Sequence, residues 1–325
     1  MKQPLKQILS IGKSFWDAQI LLTAANLNVF DVLKEATLAK AAAEASNTDE
    51  AATVMLLDAL SSMGVLDKNN KKYKLKNDVA PYLLSSSPKN VLSILNHYYF
   101  MYDDWGRLKE SLVSGKAIKK KKKDRNETYE FIRGMDNLTK FYKDRVVEAI
   151  DYAKAKTILD IGSGPATYLR EILKQNKNIE GYILDLPDAA CIAKEFLKKE
   201  KLLKRVQFIE GDVEKVKWGG KYDIILISQV LHSLNPKVVK TVFKKAYEAL
   251  NAGGSLYVHE FYTNEDRTFP QENVVFCLNM LLHSDGGNNF TVKELKKLYQ
   301  DAGFKDVKVK KFTKPYTVMI RGDKR

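Results

Sequence analysis

Cysteine is scarce: Cys191 and Cys277 are the two in the chain, far apart and forming no Cys-x-x-Cys pair. That excludes a disulfide framework and a cysteine-built metal site, and it points to a reducing compartment. The four histidines show no metal-ligand spacing, so no metal is expected. Long hydrophobic runs are missing too. No stretch approaches the roughly 20 apolar residues that a membrane helix needs. Trp16, Asp17 and Gln19 interrupt the first thirty residues, where a secretion signal needs an unbroken apolar run. No membrane partner is expected, and the location expected is cytoplasmic. Arginine is rare as well, with nine against forty-five lysines in a chain of net charge +14. That excess raises nucleic acid as a partner. Dedicated base and phosphate readers lean on the arginine fork, however, and here the lysines are scattered, so no nucleic-acid partner is expected. What remains is the composition of a folded soluble protein, 45% apolar and 29% charged, and 325 residues make two domains the first expectation.

Residues 5–33 carry Ile8, Ile11, Phe15, Ala18, Leu22 and Ala25 at helical spacing. A second helical stretch runs through Leu38–Ala45, and Asn47, Thr48 and Asp49 offer caps for a third with Val54, Leu57, Leu60 and Met63. Val65-Leu66-Asp67, a polar turn and Tyr73-Lys74-Leu75 then read as a small wing. Helix, helix, helix, hairpin is the order of a winged helix. Its third helix is acidic at Asp49, Glu50 and Asp58 and holds no Lys or Arg, which makes it a poor DNA reader and a better dimer surface. Residues 91–112 read as one more apolar helix, rich in aromatics from His97 to Trp105. It fits either a buried connector or one wall of an aromatic substrate pocket. The five lysines Lys119–Lys123 read as a solvated loop, and 127–153 as helices.

From Thr157 the pattern changes to short apolar runs at Thr157–Ile161, Gly181–Leu186, Val206–Glu210, Tyr222–Ser228 and Ser255–Glu260, with amphipathic stretches between them. Strand–helix alternation of this kind predicts an α/β fold with a parallel sheet covered on both faces. Val307–Phe312 and Tyr316–Arg321 read as a closing hairpin after a helix at Val292–Ala302. Ligands of such sheets sit beyond the carboxyl ends of the strands.

The first run ends Asp160-Ile-Gly162-Ser-Gly164-Pro165-Ala166. Two glycines two apart allow a tight turn and close approach of a ligand to the backbone. Thr167 stands where a dinucleotide fingerprint needs its third glycine, so that fingerprint fails. An acid beside the turn suits an ammonium or sulfonium ligand better than a pyrophosphate. Asp185 ends the second run about 20 residues on, the place of an acceptor for ribose hydroxyls. Asp212 follows the third run and is placed to accept from an adenine amino group.

Asp-Ile-Gly-Ser-Gly, Asp185-Leu186-Pro187, Glu-Gly-Asp212 and Ser-Gln-Val-Leu-His232, with Gly286-Gly287, resemble the class I S-adenosylmethionine methyltransferases. More narrowly the chain is similar to the small-molecule O-methyltransferases that include the caffeate and acetylserotonin enzymes. Leu27–Leu33 and Gly64–Leu66 resemble that family's winged-helix dimerisation domain. The resemblance implies a Rossmann-like seven-stranded sheet, mostly parallel with one antiparallel strand, behind a helical N-terminal domain. It implies a dimerisation domain at 1–100, linking helices at 101–150 that contribute to the substrate pocket, and a cofactor domain at 151–325. It implies a homodimer that uses S-adenosyl-L-methionine. Gly162 is expected against the methionine part of the cofactor, with Asp160 and Gly164 in the same turn. Asp185 is expected on the ribose with Leu186 beside it, and Asp212 with Val213 around the adenine. Ser228 is expected to reach the cofactor from the fourth strand, and Phe131 and Met135 to pack over it.

Methyl transfer needs alignment and an unprotonated acceptor. A phenolic hydroxyl titrates near 10, so a base helps at neutral pH. The implied base is His232, with Glu260 orienting it. His259 lies inside a strand and reads as structural. Met280 and Asn279 fall where the family meets its substrate, although Met280 fits a core position equally. His283 is a further candidate to line that pocket. Where the family has a second acid, this chain has Asn289. That departure leaves alternatives: the same cofactor with methylation at nitrogen or carbon, or hydroxylase-like or decarboxylase-like chemistry. A further alternative is a winged-helix regulator that senses the cofactor. The first expectation is methyl transfer to a hydroxyl of a small aromatic or heteroaromatic compound.

Overall fold

The structure, a computed structural model, describes residues 3–118 and 125–325, so the Lys119–Lys123 run lies outside the described residues. Two compact units are formed, Met1–Tyr102 with Arg133–Leu138, and Asp103–Ile132 with Thr139–Arg325.

In the first unit α1 (Gln3–Asn26) stops before the expected 33, because Asn28 takes a left-handed conformation (φ 57°) that asparagine tolerates. Strand β1 (Thr37–Leu38) leads into α2 (Ala39–Ser46) and α3 (Glu50–Ser62). The Asp49 side chain caps α3 by accepting from the Ala52 N–H. The wing is β2 (Leu66–Asn69) and β3 (Lys72–Leu75), antiparallel, with β1 on the far side of β3. Asp58 of α3 ties the wing down, accepting from the Tyr73 hydroxyl at 2.7 Å and from Lys68. Phe30, Leu33, Leu57, Leu60, Leu66 and Leu75 form the core beneath. After α4 (Ala80–Leu83), the stretch expected as one helix over 91–112 is two, α5 (Leu92–Gly106) and α6 (Leu108–Ser114), the latter already in the second unit. Gly106, a poor helix former, precedes the break, and Arg107 bonds forward to Glu110 at 2.9 Å.

Helices α7 (Arg125–Thr139) and α8 (Lys143–Val147) precede the sheet of the second unit. Its elements are β4 (Thr157–Ile161), α9 (Thr167–Gln175), β5 (Glu180–Asp185), α10 (Pro187–Lys199), β6 (Val206–Glu210), β7 (Tyr222–Ser228), α11 (Pro236–Ala249), β8 (Leu250–Thr263), α12 (Gln271–His283), β9 (Phe290–Thr291), α13 (Val292–Asp301), β10 (Lys305–Lys311) and β11 (Thr317–Asp323). The spatial order is β10-β11-β8-β7-β4-β5-β6, with β11 antiparallel to both its neighbours and the short β9 parallel to the end of β8. This is the expected mostly parallel sheet with one reversed strand.

Alternation sends successive side chains to opposite faces. Ile158, Ile183, Ile224 and Leu226 pack on α8, α9 and α10, while Leu159, Ile225, Ile227 and Val258 pack on α11 and α13. Burial on both faces explains why these strands read as continuous apolar runs. The fifth strand is longer than the expected Ser255–Glu260, so Glu260 sits inside β8 rather than at its end. Among the described residues no helix is long and apolar enough to cross a membrane.

Candidate active site

Strand order reverses between β5-β4 and β7-β8, and the tips of β4, β5 and β7 meet there. After β4 the chain turns through Gly162 (φ 62°) and Gly164 (φ 54°), both left-handed. A Cβ on Gly162 would lie 2.4 Å from Val230 Cγ2, so only glycine lets this turn press against the segment after β7. A Cβ on Gly164 would meet nothing within 4 Å, so that glycine borders open space. The Gly164 N–H and the Leu186 N–H each donate to the Asp185 carboxylate at 2.8 Å, and the Gly211 N–H donates to the Asp185 carbonyl at 2.9 Å. The three loops are thereby tied together.

Asp160 is buried at the tip of β4 and accepts from the Ser163 hydroxyl at 2.6 Å. Burial, only partly offset by that bond and reinforced by the nearby Asp185, pushes its carboxyl up to about 7. Burial also raises Asp185, against the pull of its two backbone donors. Among the described residues neither acid is paired with Lys or Arg. Two acids without a cation, beside open space at Gly164, fit a ligand that has a positive group and a sugar diol. The residues present therefore suit S-adenosylmethionine.

Asp212 is half-exposed and accepts from the Glu214 N–H at 2.8 Å. Val213 packs partly into the core, and its carbonyl accepts from the Trp218 indole at 3.0 Å. Leu186 is exposed. Ser228 ends β7 with its hydroxyl 2.9 Å from His259 Nδ1. Phe131 belongs to the second unit, but Met135, four residues further along α7, belongs to the first.

His232 lies on the turn after β7 and is 8% exposed. Its Nδ1 is 2.8 Å from Glu260 Oε2. Glu260, with no exposed surface, also accepts from the Leu231 N–H at 2.9 Å and the Phe261 N–H at 3.2 Å. A carboxylate serving three donors assigns the histidine proton to Nδ1 and leaves the Nε2 lone pair free. The ring meets Phe276 edge-on at 5.1 Å and Phe261 at 5.8 Å. Sequence reasoning missed both phenylalanines. Phe261 was discoverable as the neighbour of Glu260, whereas nothing local marks Phe276 on α12.

The residues expected at the substrate are spread along α12 and beyond it. Met280 is buried. Asn279 accepts from the Trp105 indole at 3.3 Å, and the His283 ring bridges the Asn279 carbonyl at 2.9 Å and Asp104 at 3.0 Å. Asn289 is 1% exposed; its Nδ2 donates to the Asn273 carbonyl at 2.6 Å, and its Oδ1 has no hydrogen-bond partner among the described residues.

Residues 109–305 match the O-methyltransferase domain, and residues 9–86 match the O-methyltransferase dimerisation domain. The chain belongs to the O-methyltransferase family and is a methyltransferase. It is similar to the S-adenosyl-L-methionine-dependent methyl transferase PigF of Serratia sp., with 26% identity over 321 residues covering 94% of this chain and 92% of PigF. It is similar also to acetylserotonin O-methyltransferase of Gallus gallus, with 27% identity over 335 residues covering 96% of each. The solved structure of PigF with SAH matches at a TM-score of 0.91, with 25% identity and 100% of both chains covered. Human N-acetylserotonin methyltransferase in complex with SAM matches in fold at a TM-score of 0.89, with 23% identity covering 100% of this chain and 98% of that one.

Proposed function

We propose that this O-methyltransferase transfers a methyl group from S-adenosyl-L-methionine to a hydroxyl of a small aromatic or heteroaromatic compound, with His232 as general base. The observation that carries the reading is the buried His232–Glu260 pair at 2.8 Å. Glu260, held by two backbone N–H groups, fixes the ring and its tautomer, so Nε2 faces outward as a proton acceptor. After proton transfer the Glu260 carboxylate stabilises the imidazolium. Phe261 and Phe276 keep water from the ring, which strengthens that electrostatic support.

The bound cofactor supplies an electrophilic methyl on a positively charged sulfur. In this reading Gly162, Gly164 and Asp160 hold its methionine part and Asp185 its ribose. Asp212 and Val213 frame its adenine, and Ser228, Leu186 and Phe131 border it. Asn279, Met280, His283 and Asn289 shape the substrate side, where the Met280 thioether suits a flat ring. The protein works as a cytoplasmic homodimer through its first unit. The dimerisation-domain match supports that assembly, as do the exposed Ile8, Ile11, Phe15 and Trp16 of α1. The free Cys191 and Cys277 support the compartment.

The test is His232→Ala, with turnover followed by labelled methyl transfer to a panel of hydroxylated ring compounds and cofactor affinity followed by calorimetry. Turnover is expected to fall about 100- to 10,000-fold while affinity for the demethylated cofactor stays within about twofold. Unchanged turnover removes the base assignment.

A further inference from the structure

His259 neighbours Glu260 on β8, and strand alternation sends its side chain to the opposite face. There it is fully buried and lies in register beside Ser228 of β7 and Met319 of β11. Its two ring nitrogens both meet hydroxyls: Nδ1 is 2.9 Å from Ser228 Oγ, and Nε2 is 2.9 Å from Thr317 Oγ1. The rings of Tyr168 at 5.8 Å and Phe312 at 5.9 Å stand edge-on to it and clamp its plane. Burial alone drives the ring's pKa down to about 3, so the imidazole is neutral at working pH.

A neutral imidazole carries one N–H, and a hydroxyl can donate or accept. The chain of three therefore has two polarities. In one, Thr317 donates to Nε2 and the Nδ1–H donates to Ser228, which frees the Ser228 O–H to donate to a ligand. In the other, Ser228 donates to Nδ1 and the Nε2–H donates to Thr317, so Ser228 presents only lone pairs. An apolar residue at 259 could fill the same space between Tyr168 and Phe312 but would remove the ring nitrogen 2.9 Å from the Ser228 hydroxyl.

We infer that His259 is a positioning residue for the cofactor: through Thr317–His259–Ser228 it sets the hydrogen-bonding sense of the hydroxyl at the tip of β7. This rests on the reading of Ser228 as a cofactor contact. It also links the C-terminal hairpin, through Thr317, to the cofactor site.

The experiment measures S-adenosylhomocysteine affinity by calorimetry for Thr317→Val, Thr317→Ser, Ser228→Ala and the double variant Ser228→Ala/Thr317→Val. Thr317→Val keeps volume and removes the hydroxyl, and is expected to weaken binding about three- to tenfold. Thr317→Ser keeps the hydroxyl and loses a methyl, and should bind like the parent, the reverse of what a packing role requires. The double variant should be no weaker than Ser228→Ala, because both act through one hydroxyl. Wild-type affinity in Thr317→Val, equal weakening in Thr317→Ser, or additive losses overturn the inference. Weakening by Ser228→Ala alone overturns the relay and spares the cofactor contact, whereas a silent Ser228→Ala removes both. Should Thr317→Val not fold, nitrogen-15 shifts of the His259 ring decide. With saturating ligand the ring should show the shifts of one neutral tautomer, and averaged shifts at saturation overturn the proposal.

Discussion

Two buried acids of the second unit are handled in opposite ways. Glu260 shares its carboxylate among His232 Nδ1 and the Leu231 and Phe261 amides, all supplied by the chain. Asp160 has the Ser163 hydroxyl and a second acid nearby, and burial pushes it up to about 7. In the proposed reading the chain itself supplies every partner on the base side, as preorganised catalysis requires. The cradle side holds a carboxyl that a cation would relieve. On that reading the fold completes the half that holds a proton and leaves the cradle for the ligand to complete.

The largest test of that contrast is Glu260→Gln. The amide keeps the volume but loses the charge that steadies an imidazolium. Turnover should fall about a hundredfold with cofactor affinity unchanged, read by steady-state kinetics and calorimetry. A variant that loses affinity and keeps turnover would erase the distinction between the two acids.

Asp160→Asn gives the next effect. Because the folded carboxyl titrates near 7, above its ordinary 3.8, its contribution to stability is fully present below about 4 and is lost as pH rises through about 7. Asn should therefore raise the melting temperature of the ligand-free protein above pH 7, and the gain should vanish near pH 4. Wild-type affinity for the methyl donor should grow about tenfold between pH 6 and 8 as the acid ionises, and the Asn variant should show a flat profile.

The two glycines of the turn give the smallest and sharpest separation. Gly162→Ala drives a methyl to 2.4 Å from Val230 and should cost about 1–3 kcal/mol of stability in chemical denaturation. Gly164→Ala meets open space and carries only the strain of its positive φ, about 1 kcal/mol. Its main loss should be cofactor affinity, by about fivefold or more in calorimetry. Equal profiles for the two would show that Gly164 borders no ligand.

Much of the second unit was legible in advance. The runs at Thr157–Ile161, Val206–Glu210 and Tyr222–Ser228 are strands with those bounds; burial on both faces keeps the first and last mostly apolar, whereas Val206–Glu210 lies at the sheet edge with Gln207 and Glu210 exposed. The wing was legible from its polar turn. Less legible were the break at Arg107 and the two-residue strands β1 and β9, whose pairing partners lie far along the chain. His259 was readable as buried but not as the middle of a relay, because Thr317 stands 58 residues away.

Local order, set by periodicity and turn chemistry, is written in neighbouring residues, so the sequence by itself determined the alternating strands and helices, the glycine turn and the acids at the strand tips. Which side chains meet depends on strand order and register, which bring residues tens of positions apart within hydrogen-bond reach. Only the tertiary structure could therefore decide that the Glu260 carboxylate lies 2.8 Å from His232, that the two phenylalanines wall that ring, and that Asp160 is buried with no cation beside it among the described residues.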